Sequence, residues 1–231
     1  PDHPDALLMT ADVLERLGQH DLAAEAFAAF PPEDPNYVTA EVGRVEALRS
    51  QGKSDAAIEA LEKLNAMGAG GVVCYTAGFG ETGAEGADDE ARLVRAAGDL
   101  ALVGPNCYGV INYVDRVALW PFAHGGACPG YGAAIITQSG MLSSDLTMSQ
   151  RGVPFAFMVS AGNQTLLRLE DFVDALAERP EVRAIGLHIE GLKDVAAFER
   201  AALKSLALGK PIVALKTGTS RLGSSLTVSH T

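Results

Sequence analysis

The sequence predicts an α/β protein preceded by an α-helical segment, and three observations lead there. After Gly70 come short β-branched runs, each closing on glycine or a small polar residue. Helical patterns separate most of these runs, the arrangement that builds a parallel sheet with helices on both faces. Before residue 66 the spacing is that of paired helices, and one pattern occurs twice.

The composition fits this class. The chain has 231 residues, 48% of them hydrophobic, enough to bury a core. No stretch approaches the ~20 apolar residues of a membrane span, and no secretory signal pattern opens the sequence. A cytoplasmic protein without a membrane partner is therefore expected. The net charge of −11 disfavours nucleic acid, although helix N-termini can still bind a small polyanion. Cys74, Cys107 and Cys128 fit neither a disulfide framework nor a zinc site and read as reduced thiols; no metal site is expected.

In the helical segment, Leu7, Ala11 and Leu14 form one apolar face, and Ala23, Phe27 and Phe30 form its partner. Ala11 and Ala23 are small enough to let the helices approach closely. Pro31–Asn36 then interrupts the pattern. Gly18, Asp21, Ala23 and Glu25 recur at one offset as Gly52, Asp55, Ala57 and Glu59, matching a ~34-residue period. The segment resembles about two tetratricopeptide repeats, the second without a closing proline; a generic alanine-rich hairpin is the alternative. Two repeats fall short of the ~3 usually needed, so a protein partner for this segment is expected.

The later runs are "GVVCYTAG", "ALVGPN", "GAAIITQSG", "FAFMVSAGN", "AIGLHIEG" and "PIVALKTG". Helices are expected over Glu90–Leu100, Leu142–Arg151, Leu169–Glu178 and Asp194–Leu208. Ligands of such sheets sit at the carboxyl ends of the strands, where this chain keeps its Gly, Ser, Asn, Gln, Glu and Lys residues. "GGACPGYG" (Gly125–Gly132) reads as a linker. The expected domains are therefore 1–66, 67–129 and 130–231, the last flavodoxin-like.

Five motifs then occur in one order: "GPNCYGVIN", "ITQSGMLSSD", "SAGN", "HIEGL" and "SHT". Together they resemble the α-subunit-like part of the NDP-forming acyl-CoA synthetases, relatives of succinyl-CoA synthetase, over Gly70–Thr231. "ALWPFAHGG" and "ITQSGMLSSDLTMSQ" look closest to the branch acting on larger acids, including hydroxycinnamates. The resemblance implies a partial Rossmann-like CoA-binding piece before the flavodoxin-like domain. It also implies the reaction acid + CoA + NTP → acyl-CoA + NDP + Pi, through an acyl phosphate and a phosphohistidine.

Residue roles follow from the matching positions. His230 is the histidine that attacks the acyl phosphate and passes the phosphoryl group to a nucleoside diphosphate. From its setting alone it could equally be a solvated tail residue. Glu190 matches the glutamate that fixes the histidine tautomer, although a solvated strand-end carboxylate would look the same. Ser139, Gly140 and Met141 match the helix start that holds the phosphohistidine; free amides and the helix dipole suit phosphate there. Ser-Gly is also a common plain cap. Phe79, Gly80, Glu81, Asn106, Cys107 and Asn163 fall along the CoA arm or near the thioester or acid. Cys107 has no paired histidine in its motif, which favours packing; tight turns would also explain both asparagines. Lys216 could neutralise phosphate or be an ordinary strand-end lysine. Ser144 stands where succinyl-CoA synthetase has tyrosine, which speaks against succinate.

CoA is the expected cofactor. ATP/ADP and Mg are expected mainly on an ATP-grasp domain or subunit, and the acid is a small carboxylic or an aromatic one. The family's glycine-rich phosphate loop is not among these residues. A fragment, a fusion or an incompletely represented polypeptide ending inside a catalytic loop is expected. A non-catalytic interaction module with a degenerate CoA-ligase-like domain is the competing reading.

Overall fold

The computed structural model describes residues 4–17, 19–30 and 54–218. It divides at Gly68 into two compact units, one ending there and one beginning at Ala69.

The first unit holds α1 (Pro4–Arg16), α2 (His20–Ala28) and α3 (Ser54–Ala66). α1 and α2 pack through the expected faces: Ala11, Ala23, Phe27 and Phe30 are buried, with Leu7 and Leu14 against them. The alanines leave no side-chain bulk between the two helices, so the phenylalanines can fill the flanks. In α3, Ile58 and Leu61 are buried and the Lys63–Glu59 pair lies on the exposed side at 2.6 Å. The expected break at Pro31–Asn36 and the start of the second repeat lie outside the described residues.

The second unit holds two sheets. In the smaller, β1 (Gly71–Val73) and β2 (Ala101–Val103) pair in parallel, with α4 (Ala84–Ala97) between them in sequence. That helix begins earlier than the expected Glu90. Its first turn tolerates only glycine at Gly86, where a Cβ would stand 1.8 Å from the Phe79 carbonyl oxygen.

The larger sheet has the order β4-β3-β6-β5-β7-β8. Its strands are β3 (Gly109–Asn112), β4 (Val117–Leu119), β5 (Gly132–Thr137), β6 (Phe155–Ser160), β7 (Val182–Ile189) and β8 (Ile212–Lys216). The last four are parallel, as the sequence predicts. β3 and β4 are not: β3 runs antiparallel to both β4 and β6. The reason is local. Asn112 and Asp115 tie the intervening turn, Asn112 Oδ1 accepting the Asp115 N–H at 3.0 Å, and Arg116 turns through φ 59. Such a turn joins antiparallel neighbours without a crossover helix. The hairpin thus adds residues 109–119, which precede the expected start of the last domain at 130, to the larger sheet.

Helices cover both faces of that sheet. Ile135 packs with Leu146 of α5 (Gly140–Thr147), whereas Ala134 and Ile136 pack with α6 (Leu169–Ala177). This is the period-two alternation of a strand buried on both sides. Leu169, Val173 and Ala177 form a fully buried stripe on α6. Burying each larger side chain in such a stripe contributes ~1.5–3 kcal/mol. α7 (Val195–Ala207) packs beside α6, its first turn capped by Asp194, which accepts the Ala197 N–H at 2.8 Å. Among the described residues no helix is long and apolar enough to cross a membrane.

Candidate active site at the strand ends

The "GFGE" turn, the "GPNC" loop and the "SAGN" turn are far apart in sequence and meet in space. Glu81 accepts the Gly78 N–H at 2.5 Å through Oε1 and a short hydrogen bond from Asn163 Nδ2 through Oε2. Asn163 Oδ1 in turn accepts from Asn106 Nδ2 at 3.2 Å. Three of the candidate residues, Glu81, Asn106 and Asn163, thus form one chain of hydrogen bonds. Backbone bonds hold the loops in place: Asn106 N–H to the Thr76 carbonyl at 2.8 Å, and Asn163 N–H to the Pro105 carbonyl at 2.9 Å. The approach is so close that a Cβ on Gly162 would lie 2.2 Å from the Pro105 oxygen, and the residue has φ +60. Glycine is required there on both counts.

The side chains of two further candidates, Phe79 and Cys107, point inward. Phe79 is 1% exposed, so its side chain packs the interior. Gly80 contributes through its backbone, its N–H bonding Glu90 Oε2 at 2.9 Å. Cys107 is 4% exposed and its thiol donates to the Cys74 carbonyl at 3.4 Å. Burial pushes its pKa far up, and with it that of Cys74, to about 11. The thiolate form that attacks is disfavoured at both positions.

The second cluster lies at the ends of β5 and β7. Ser139 caps α5, its Oγ accepting the Leu142 N–H at 3.3 Å. The helix itself supplies no acceptor for the Gly140 and Met141 N–H groups. Gln138, fully buried, joins the two strand ends. Its Oε1 accepts the Glu190 N–H in a short bond and the Gly191 N–H at 3.0 Å, while Nε2 donates to the Gly191 carbonyl at 2.9 Å. Lys216, at the end of β8, donates to the Glu190 carbonyl at 2.9 Å and to the Thr217 carbonyl. It is therefore tied into the backbone beside Glu190. His230 lies outside the described residues.

Tyr108 joins the two clusters. Its N–H donates to Ser160 Oγ at 3.0 Å, and its ring lies against Gly140, where a Cβ would be 2.9 Å from Cδ1. The result is one polar edge, from Glu81 through Asn163, Asn106 and Tyr108 to Gly140, with Glu190 and Lys216 behind Gln138. Sequence reasoning missed Gln138, Tyr108 and Glu90. Gln138 carried a usable signal, a polar residue closing the apolar run "AAIIT". Among the described residues no three His, Cys, Asp or Glu side chains stand together as a metal site.

This edge can present amide donors at a helix start to a phosphoryl group, with a carboxylate-bearing strand end beside them. Residues 130–231 match the family described as the succinyl-CoA ligase like flavodoxin domain. The chain is 36% identical over 181 residues to a trans-feruloyl-CoA synthase, FCS1, of an unknown prokaryotic organism, covering 75% of this chain and 26% of that protein. It is 37% identical over 171 residues to the α subunit of an ADP-forming acetate–CoA ligase II of Pyrococcus furiosus, covering 71% of this chain and 36% of that subunit. A dinucleotide-forming acetyl-coenzyme A synthetase 1 of Ca. Korarchaeum cryptofilum, solved with phosphate and ADP, superposes with a TM-score of 0.66 at 26% identity. That match covers 77% of this chain and 38% of the other. The chain thus spans between a quarter and two fifths of the proteins it matches. By this family match, residues 130–231 belong to the succinyl-CoA ligase like flavodoxin domains.

Proposed function

We propose that this chain is the CoA- and phosphohistidine-bearing part of an NDP-forming acyl-CoA synthetase, joining an acid to CoA at the expense of NTP. The observation that carries this reading is the continuous polar edge, on which Glu81, Asn106 and Asn163 meet in one hydrogen-bonded chain and Gln138 ties the Glu190 strand end to the Ser139 helix start. In the direction of synthesis, His230 takes the γ-phosphoryl group from NTP, forming the N–P bond as NDP leaves. The acid carboxylate then takes the phosphoryl group from His230, giving the acyl phosphate. CoA supplies the thiol that attacks the acyl carbon, and Pi departs.

The chain's own groups have defined tasks. The Gly140 and Met141 amides hold the phosphoryl oxygens at the start of α5. Glu190 bonds one imidazole nitrogen of His230, fixing the tautomer and stabilising the positive charge that phosphorylation creates. Asn106 and Asn163 face the acid or thioester, their amides oriented by Glu81. An ATP-grasp domain or subunit binds the nucleotide and Mg, and the acid is a small carboxylic or an aromatic one, hydroxycinnamates included. On the same reading, residues 1–66 are tetratricopeptide-like repeats that dock a protein.

The test is product formation. With an ATP-grasp domain, an acid, CoA and ATP, acyl-CoA and ADP should appear in equal amounts, and hydroxylamine should trap an acyl hydroxamate when CoA is withheld. ADP release without thioester under these conditions would contradict the proposal.

A further inference from the structure

A cavity of about 360 Å³ lies between α6 and α7, lined by Glu170, Asp171, Asp174, Ala197, Arg200 and Ala201. It contains none of the residues assigned above. Its carboxylates are not equivalent. Asp171 accepts the Arg168 N–H at 2.9 Å, and Asp174 accepts from Lys204 Nζ at 2.8 Å. Glu170 is 2% exposed, and both its oxygens are buried without a hydrogen-bond partner. Arg200 lines the same cavity but does not reach them within hydrogen-bonding distance.

A buried carboxylate is costly unless a donor meets it. Its place in the first turn of α6 gives Glu170 a favourable dipole but no hydrogen bond. The small side chains of Ala197 and Ala201 leave the space open from the facing helix. We propose that this cavity binds an organic cation, a guanidinium or primary ammonium group, on Glu170. Neither carboxylate oxygen has a donor, and a planar guanidinium that enters from the cavity and displaces its lining to reach them would match them with two parallel N–H bonds. A hard metal ion fits poorly: it takes six or more oxygens, and Asp171 and Asp174 are already engaged. The lining carries three carboxylates against one guanidinium, which disfavours an anion.

The cation can be a free small molecule or the side chain of another polypeptide, and two probes separate these. The whole chain is titrated calorimetrically with agmatine and, separately, with an acetylated, amidated Gly-Arg-Gly peptide. Saturation by agmatine identifies a small-molecule site; saturation by the peptide alone identifies a side-chain site. In either case Glu170→Gln should weaken binding about tenfold or more, equivalent to ~1.4 kcal/mol. Arg200→Ala should strengthen it by removing a like charge from the rim. Ala197→Leu, which fills the cavity and keeps Glu170, should abolish it, and serves if the Glu170 variant does not fold. Absence of saturation by both probes into the millimolar range, binding unchanged in Glu170→Gln, or binding lost in Arg200→Ala would overturn the proposal.

Discussion

Replacing Gln138 by alanine tests whether the phosphate side of the site is held together by one buried side chain. The substitution removes three hydrogen bonds: those from the Glu190 and Gly191 amides to Oε1, and that from Nε2 to the Gly191 carbonyl. A net ~1 kcal/mol per bond gives ~3 kcal/mol. The cavity left by a fully buried glutamine adds to this, and water reaching the half-buried Glu190 and Gly191 backbone subtracts from it. A loss of ~2–4 kcal/mol is expected, read as a lower midpoint in urea with unchanged slope. Gln138→Glu keeps Oε1 but sets an acceptor against the Gly191 carbonyl, and should fall between the two. Since Gln138 positions Glu190, the rate of His230 phosphorylation should drop in Gln138→Ala even where the fold is fully populated. A stability change below ~0.5 kcal/mol, with an unaltered phosphorylation rate, would refute this account of the strand ends.

Gly162→Ala should destabilise by several kcal/mol or force the "GPNC" loop apart, because its Cβ would collide with the Pro105 oxygen at positive φ; a wild-type melting temperature would contradict the close approach. Ser139→Ala should cost ~1 kcal/mol through loss of the cap; on the proposed role of the backbone amides, phosphorylation should fall far less than in Ser139→Pro, and comparison of the two rates checks it. Cys74 and Tyr113 are both acids raised by burial, to about 11 and about 12. The folded state therefore keeps its protons where the unfolded state has released them, so stability should hold below about pH 8.5 and fall steadily towards pH 12; a flat profile of urea midpoints would contradict that burial. Native Cys107 should resist thiol reagents at neutral pH and become reactive on unfolding, and modification of the folded chain at that position would contradict its packing.

Much of this fold was legible in the sequence because its strands are apolar runs closed by glycine or polar residues. β5 to β8 follow that rule, and the Leu169–Val173–Ala177 stripe follows helical spacing. β4 escaped because its three residues, Val117–Leu119, are all exposed at the sheet edge, and β3 because its short run "GVIN" lies inside the longer motif "GPNCYGVIN". The site was legible in part for a different reason. Asn106, Asn163 and Glu81 belong to motifs, yet their mutual hydrogen bonds depend on backbone approach at Gly162, which no spacing rule encodes. Phe79 sits in the same motif as Glu81 and points the other way, since a short turn places neighbouring side chains on opposite sides. Gln138 closes an apolar run, which singles it out in the sequence, but its burial and its partners across the strand ends emerge only in the fold.

The central claim is a phosphoryl group carried on His230, and covalent labelling reaches it most directly. The chain is mixed with an ATP-grasp domain and ATP labelled in the γ-phosphate, quenched, and mapped. Label on His230 that is labile in acid and stable in base, and absent from His230→Ala, is the predicted result. Label that persists in His230→Ala, or turnover of acid and CoA to thioester by that variant, would contradict the mechanism.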